Sequence, residues 1–253
     1  MAALALLVLV VLSINKFHEA SCDAIDISIK DSADTYFIDK NQVLQIIHAD
    51  TVLGHKMDSI NIYALQEALK QNPYVRTVAI YKTISGRLKI DIQQRRPVLM
   101  VLANEGQSFY IDNDGFIFST CDNYHSKTIV VNGFVNERFD FSKGQIYKVD
   151  LEDPKLPNLT ADLFRLAKLI DADDFWRDQV EQIYINKLGE YELVPMVGNH
   201  ILALGPIDDY DKKMYVLKQF YFKALSKIGW DQYKLISVKY KDQIVCVLKD
   251  KKK

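Results

Sequence analysis

Residues 72 to 98 read NPYVRTVAIYKTISGRLKIDIQQRRPV, and within that stretch Arg87 to Gln93 alternates without a break. Leu88, Ile90 and Ile92 fall on one face, and Arg87, Lys89, Asp91 and Gln93 on the other. A period of two is the signature of a half-buried strand. Ile25, Ile27 and Ile29 alternate with Asp26, Ser28 and Lys30 in the same way, so a first strand starts near residue 24. Between the two stretches the period changes. Asp39 is a good N-cap for a helix carrying Val43, Leu44, Ile46 and Ile47, and Ile62, Leu65, Ala68 and Leu69 mark a second amphipathic helix. Asn72-Pro73 stops that helix, because the residue before a proline is pushed out of the helical region. Val75 to Lys82 and Arg87 to Gln94 then form two strands joined across Ser85-Gly86, which gives the order β-α-α-β-β.

Beyond Pro97 the pattern becomes one of short strands and turns. Val98 to Ala103 is an apolar run, and Phe109-Tyr110-Ile111 and Phe116-Ile117-Phe118 flank Asp112-Asn113-Asp114-Gly115. That tetrapeptide resembles the start of a calcium loop, but an oxygen ligand before the glycine and a distal glutamate are missing, so it reads as a hairpin turn. Thr128 to Val131 ends at Asn132-Gly133, and Asp153-Pro154-Lys155-Leu156-Pro157 is a loop leading to a helix with Leu163, Leu166, Ala167 and Ile170 buried. Ile183 to Asn186 and Glu190 to Leu193 predict another hairpin, and His200 to Leu204 another strand. The best-defined helix follows, capped by Asp208 or Asp209 and closed by Gly229, with Met214, Leu217, Phe220, Tyr221, Ala224, Leu225 and Ile228 as its buried stripe. Leu235 to Tyr240 and Ile244 to Leu248, joined by Lys241-Asp242-Gln243, form a last hairpin, and four of the final five residues are lysines.

Charge and composition narrow the function. The chain has 253 residues, 49% of them hydrophobic, which is enough to bury real cores. Its formal net charge of -1 provides no basic field for nucleic acid. Residues 1 to 14, MAALALLVLVVLSI, carry no charge and would span roughly 21 Å as a helix. A cleaved signal would start with a basic region and end in a small-x-small site. Neither is present, so the stretch is expected to be a membrane anchor, and a start upstream of Met1 would explain the missing basic flank.

Nothing in the pattern puts a nucleophile beside a base. The histidines His18, His48, His55, His125 and His200 are scattered, and Cys22, Cys121 and Cys246 are too few and too far apart for a zinc site or a disulfide framework. His48 is expected to be a structural residue on an apolar helix face. The carboxylates of Asp171-Ala172-Asp173-Asp174 sit at a helix start, where Asp173 or Asp174 serves as N-cap. Glycine-rich phosphate loops are absent. No catalytic residue, metal ligand, cofactor or small-molecule substrate is expected.

The β-α-α-β-β order just outside an anchor resembles a POTRA domain. The longer series CDAIDISI, YFIDKNQVLQII, LQEALKQNPYVRTVAIYKTISGRLKIDIQQRRPV, YIDNDGFIF, DFWRDQVEQIYINKLGEYELVPMVGNHILALG and YVLKQFYFKALSKIGWDQYKLISVKYKDQIVC resembles the bacterial FtsQ/DivIB family in its Bacteroidetes-like form, over most of residues 22 to 248. The resemblance implies an α+β chain: an anchor at 1–21, a POTRA domain at 22–96, a larger mixed β-domain with added helices at 97–250, and a basic tail at 251–253. It implies a single-pass protein of the inner membrane with its C-terminal domains in the periplasm. There, at the division septum, it would act as a non-enzymatic scaffold that binds partners resembling FtsB and FtsL and links early division proteins to peptidoglycan synthesis. A different POTRA-bearing envelope protein, assisting outer-membrane protein assembly or secretion, is the alternative.

Two sheet borders are candidate partner sites. Arg95, Arg96 and Pro97 end a strand of a small open sheet, where charge and a missing donor limit indiscriminate pairing, or else they are a solvated pair and a linker. The resemblance implies that the last hairpin accepts a partner segment as an added strand, so Ile244, Val245, Cys246, Val247 and Leu248, with Tyr233 and Tyr240 nearby, are candidate contacts. Val245 and Val247 are expected on the docking edge itself, and the terminal lysines would attract an acidic partner.

Overall fold

The computed structural model describes residues 21–30, 36–121, 124, 126–151 and 158–249. The apolar stretch at 1–14, the loop at 153–157, His18, His125 and the tail at 251–253 lie outside the described residues. Among the described residues no helix is long and apolar enough to cross a membrane. The chain divides into two compact units, one running to Arg95 and including 121–125, the other comprising Arg96–Thr120 and the chain from Ser126 onward.

The first unit holds strands β1 (Ala24–Lys30), β2 (Val75–Lys82) and β3 (Arg87–Gln94) and helices α1 (Lys40–Ile46) and α2 (Ile62–Lys70). Each helix begins where its sequence satisfies the orphan amides. The Asp39 carboxylate accepts from the Gln42 amide at 2.9 Å while the Asp39 amide donates back to the Gln42 side chain, forming a capping box, and Asn61 accepts from the Ala64 amide. The sheet order is β1-β3-β2, parallel on one side and antiparallel on the other. The alternation of β3 sends Leu88, Ile90 and Ile92 fully into the core with Val43, Ile47, Met57 and Leu69. On the opposite face Arg87 clasps Asp26 across the parallel pair, and Tyr81 reaches Asp91 across the antiparallel one.

The second unit is one ten-stranded sheet with helices on its core face. Its strands are β4 (Pro97–Leu102), β5 (Ser108–Asp112), β6 (Phe116–Ser119), β7 (Ile129–Gly133), β8 (Tyr147–Lys148), β9 (Val180–Ile185), β10 (Tyr191–Pro195), β11 (Ile201–Gly205), β12 (Tyr233–Ser237) and β13 (Val245–Leu248). They lie in the order β13-β12-β11-β10-β9-β7-β4-β5-β6-β8. One row of paired residues crosses most of the sheet: Val101, Val131, Ile183, Leu193, Leu202, Ile236 and Cys246. All but the last are fully buried. Over them pack α3 (Leu159–Ala172) with Leu163, Leu166 and Ile170, α4 (Asp174–Gln179) with Trp176, and α5 (Tyr210–Phe220) with Met214 and Leu217. At roughly 1.5–3 kcal/mol for each large apolar side chain buried, this row and its helices are the main stabilising layer of the unit.

Local details separate the expected turns from the alternatives. Asp112 is buried and spends its carboxylate on the Asp114 and Phe116 amides, at 2.9 and 2.8 Å, so the Asp-Asn-Asp-Gly segment is a hairpin turn held by its own first residue. Asp173 caps α4 through the Phe175 and Trp176 amides. Asp209, by contrast, precedes α5 in a left-handed conformation (φ 47°) with no capping bond, and its carboxylate accepts from Lys212 instead. His48 ends α1 in a left-handed conformation as well, so it is exposed and not on the apolar face. After α5 the chain passes through a π turn at Tyr221–Leu225 before the last turn, Ser226–Ile228. The wider turn shifts the helical phase, which keeps Tyr221 and Leu225 buried but leaves Ile228 exposed.

Candidate partner-binding edge

The ten-stranded sheet ends at one side in β8, only two residues long, and at the other in β13, four residues long. A longer unpaired border is the stronger template for an added strand. Among the described residues β13 pairs on one side only, with β12, in antiparallel register: Leu235 opposite Val247, Ile236 opposite Cys246 and Ser237 opposite Val245. The connecting turn is tight because Asp242 takes a left-handed conformation (φ 57°). Ile244 and Cys246 pack against the core, whereas Val245, 41% exposed, turns to the outer face.

Backbone direction decides what this border can offer. The Lys249 amide donates to the Gln232 carbonyl at 3.0 Å, and on the two-residue period of a strand the amides of Val247 and Val245 also turn toward β12. The other side of β12 agrees. The Val238 amide donates to Ala203 on β11, so Ser237, one residue back, turns its amide toward Val245. The amides and carbonyls of Cys246 and Leu248 therefore face away from β12. This corrects the expectation for Val245 and Val247, whose backbone groups belong to the internal ladder. The outward backbone groups sit at Cys246 and Leu248, and the Cys246 side chain also ends the buried row that begins at Val101.

The remaining candidates fall elsewhere. Tyr233 is half-buried with its ring 6.3 Å from Phe220, and a bulge between Tyr233 and Leu235 puts it on the core face. Tyr240 is 55% exposed beside the hairpin turn. Arg95 is not on an open border. The strand it follows, β3, is the central one of its sheet, and Arg95 is only 6% exposed, its guanidinium donating to the Pro73 carbonyl at 2.9 Å and its amide to the Tyr74 carbonyl. Burial of the aliphatic stem and a backbone acceptor explain why a charged residue is tolerated there. Arg96 is exposed, and its carbonyl accepts from the Asn113 amide.

Burial raises the Cys246 thiol above its ordinary pKa, so the thiolate needed for nucleophilic reaction is disfavoured. Asp173, within the carboxylate-rich stretch 171–174, is held below the usual carboxylate range first by its hydrogen bond from Lys218, which makes it a structural anion. One constellation had no signal in the sequence. His200 and Tyr221 are both buried and share a hydrogen bond of 2.7 Å between Nε2 and the hydroxyl, joining the start of β11 to the π turn.

Comparison with known proteins agrees with this architecture. Residues 96–247 match the family described as FtsQ/DivIB, C-terminal related, and residues 20–93 match the POTRA-like domain. Over 197 residues the chain is 24% identical to a protein from Geotalea daltonii (strain DSM 22248 / JCM 15807 / FRC-32) described as "Cell division protein FtsQ". That similarity covers 76% of this chain and 65% of the relative, so the chain spans just under two thirds of the relative's length.

Proposed function

The chain belongs to the FtsQ/DivIB C-terminal related family, and from that premise we propose that it is a cell-division protein that works as a non-enzymatic scaffold at the septum. It would be held in the inner membrane by the apolar segment at its start, with both units in the periplasm. Its role would be to join early division proteins to the septal peptidoglycan machinery by accepting partner segments, resembling FtsB and FtsL, as added strands. The observation that carries this reading is the open side of β13, where Cys246 and Leu248 direct their backbone groups away from β12. A strand laid there would satisfy those groups and place an apolar side chain beside Cys246, extending the row that crosses the sheet.

Depletion and complementation in the native cells test this. Loss of the chain is expected to give long filaments without septa, which the wild-type gene reverses. Normal septation with a damaged outer membrane would refute the division role and favour the envelope-assembly alternative.

A further inference from the structure

The seat of the docking strand is built around a buried histidine. His200 is 3% exposed, its Nε2 shares a hydrogen bond with the Tyr221 hydroxyl, and the Trp230 carbonyl also bears on the ring. Its ring fills the space beside Gly198, where a Cβ would stand 2.6 Å from the imidazole and 3.4 Å from the Trp230 carbonyl. Tyr221 in turn packs against Trp230, ring centres 5.3 Å apart. Trp230 and Asp231 lead into β12, and Asp231 accepts from Lys249 just past β13, whose amide is bonded to Gln232. One imidazole thus underlies the junction where β12 begins and β13 ends.

We propose that His200 is an acid-sensitive latch: its neutral ring holds this junction closed, and protonation loosens the β13 border. The proposal rests on reading that border as the docking site. A cation at His200 would be buried with no carboxylate bonded to it among the described residues, a costly state in a low-dielectric interior. The groups that bear on the ring are known element by element: the Tyr221 hydroxyl from the π turn, the Lys249 ammonium from the end of β13, and Asp231 with the Trp230 carbonyl from the approach to β12. Burial lowers the His200 pKa from the ordinary histidine value and Lys249 adds to this, against smaller opposing effects of Trp230 and Asp231. The sign follows from linkage. The folded form binds the proton less readily than the unfolded form, so stability is full above about pH 6.5 and declines as pH falls toward the folded value.

The test uses the full chain in lipid nanodiscs, with histidine labelled for NMR and amide exchange followed at Val247 and Lys249. The His200 resonance, assigned by its loss in His200→Gln, is expected to titrate below the usual histidine value. After correction for intrinsic rates, protection at the two amides should fall by up to about tenfold between pH 7.5 and 5.5, with Ile90 in the other unit unchanged. In His200→Gln the two amides should lose this pH dependence. A wild-type resonance that titrates at the usual value with constant protection overturns the latch, as does an undiminished fall in the variant. Neither result involves partner capture, so the latch can fail while the docking border stands.

Discussion

Lys218 donates from α5 to both carboxylate oxygens of Asp173, at 2.7 and 2.5 Å, so the residue that caps α4 is also the one that ties α4 to α5. Asp173→Ala removes the cap and the tie together. It is expected to cost about 1–2 kcal/mol, the range for a lost N-cap, whereas Lys218→Met, which leaves the cap, should cost below about 1 kcal/mol. Urea unfolding of the two variants measures the difference.

The same pair predicts an acid response. The Asp173 carboxyl lies below its ordinary pKa, chiefly through the Lys218 hydrogen bond, so its contribution is present above the unfolded value near 3.9 and is lost as pH falls through the folded value. Lys218→Met should return the carboxyl toward its ordinary range and shrink the stability lost between pH 7 and pH 3. An equal loss in both proteins would assign the acid response to other groups.

Gly133 sits at the end of β7 with φ +100°, and a Cβ there would stand 2.2 Å from the Ile185 carbonyl oxygen on β9. Because the obstruction is backbone, neither strand can yield without breaking the bond from the Phe134 amide to that carbonyl. Gly133→Ala is expected to destabilise the larger unit by more than about 2 kcal/mol. Thermal unfolding of the variant checks this.

Ile90 is fully buried at the centre of β3. Ile90→Ala should cost about 2–5 kcal/mol through lost burial and a residual cavity. Exchange protection should fall across β1 to β3 and stay constant at Val131 and Leu193, which belong to a separate core.

Where local rules suffice, the sequence was legible. The alternation of Leu88, Ile90 and Ile92, the Asp39 and Asp173 caps, and Gly229 closing the last helix all depend on neighbours within a few positions. The FtsQ/DivIB resemblance was legible in the same way, from the order of short stretches along the chain. What escaped depends on pairing at a distance. Arg95 turns inward because β3 lies between β1 and β2, an order no strand announces by itself. The direction of the β13 amides is set by Lys249 with Gln232 and by Val238 with Ala203, not by the alternation of Val245 and Val247. The π turn that brings Tyr221 to His200 has no periodic signal at all.

Cys246 and Leu248 are proposed to offer their backbone to a partner strand, and a pair of prolines separates that outward border from the internal ladder. Cys246→Pro removes an outward amide that β12 does not use, while Val245→Pro removes one from the internal ladder. Partner capture from native membranes should fall by about two- to tenfold in Cys246→Pro, the effect of one lost hydrogen bond, with the unit still folded. Val245→Pro should lower the stability of the unit itself. Undiminished capture by a folded Cys246→Pro protein would contradict the account.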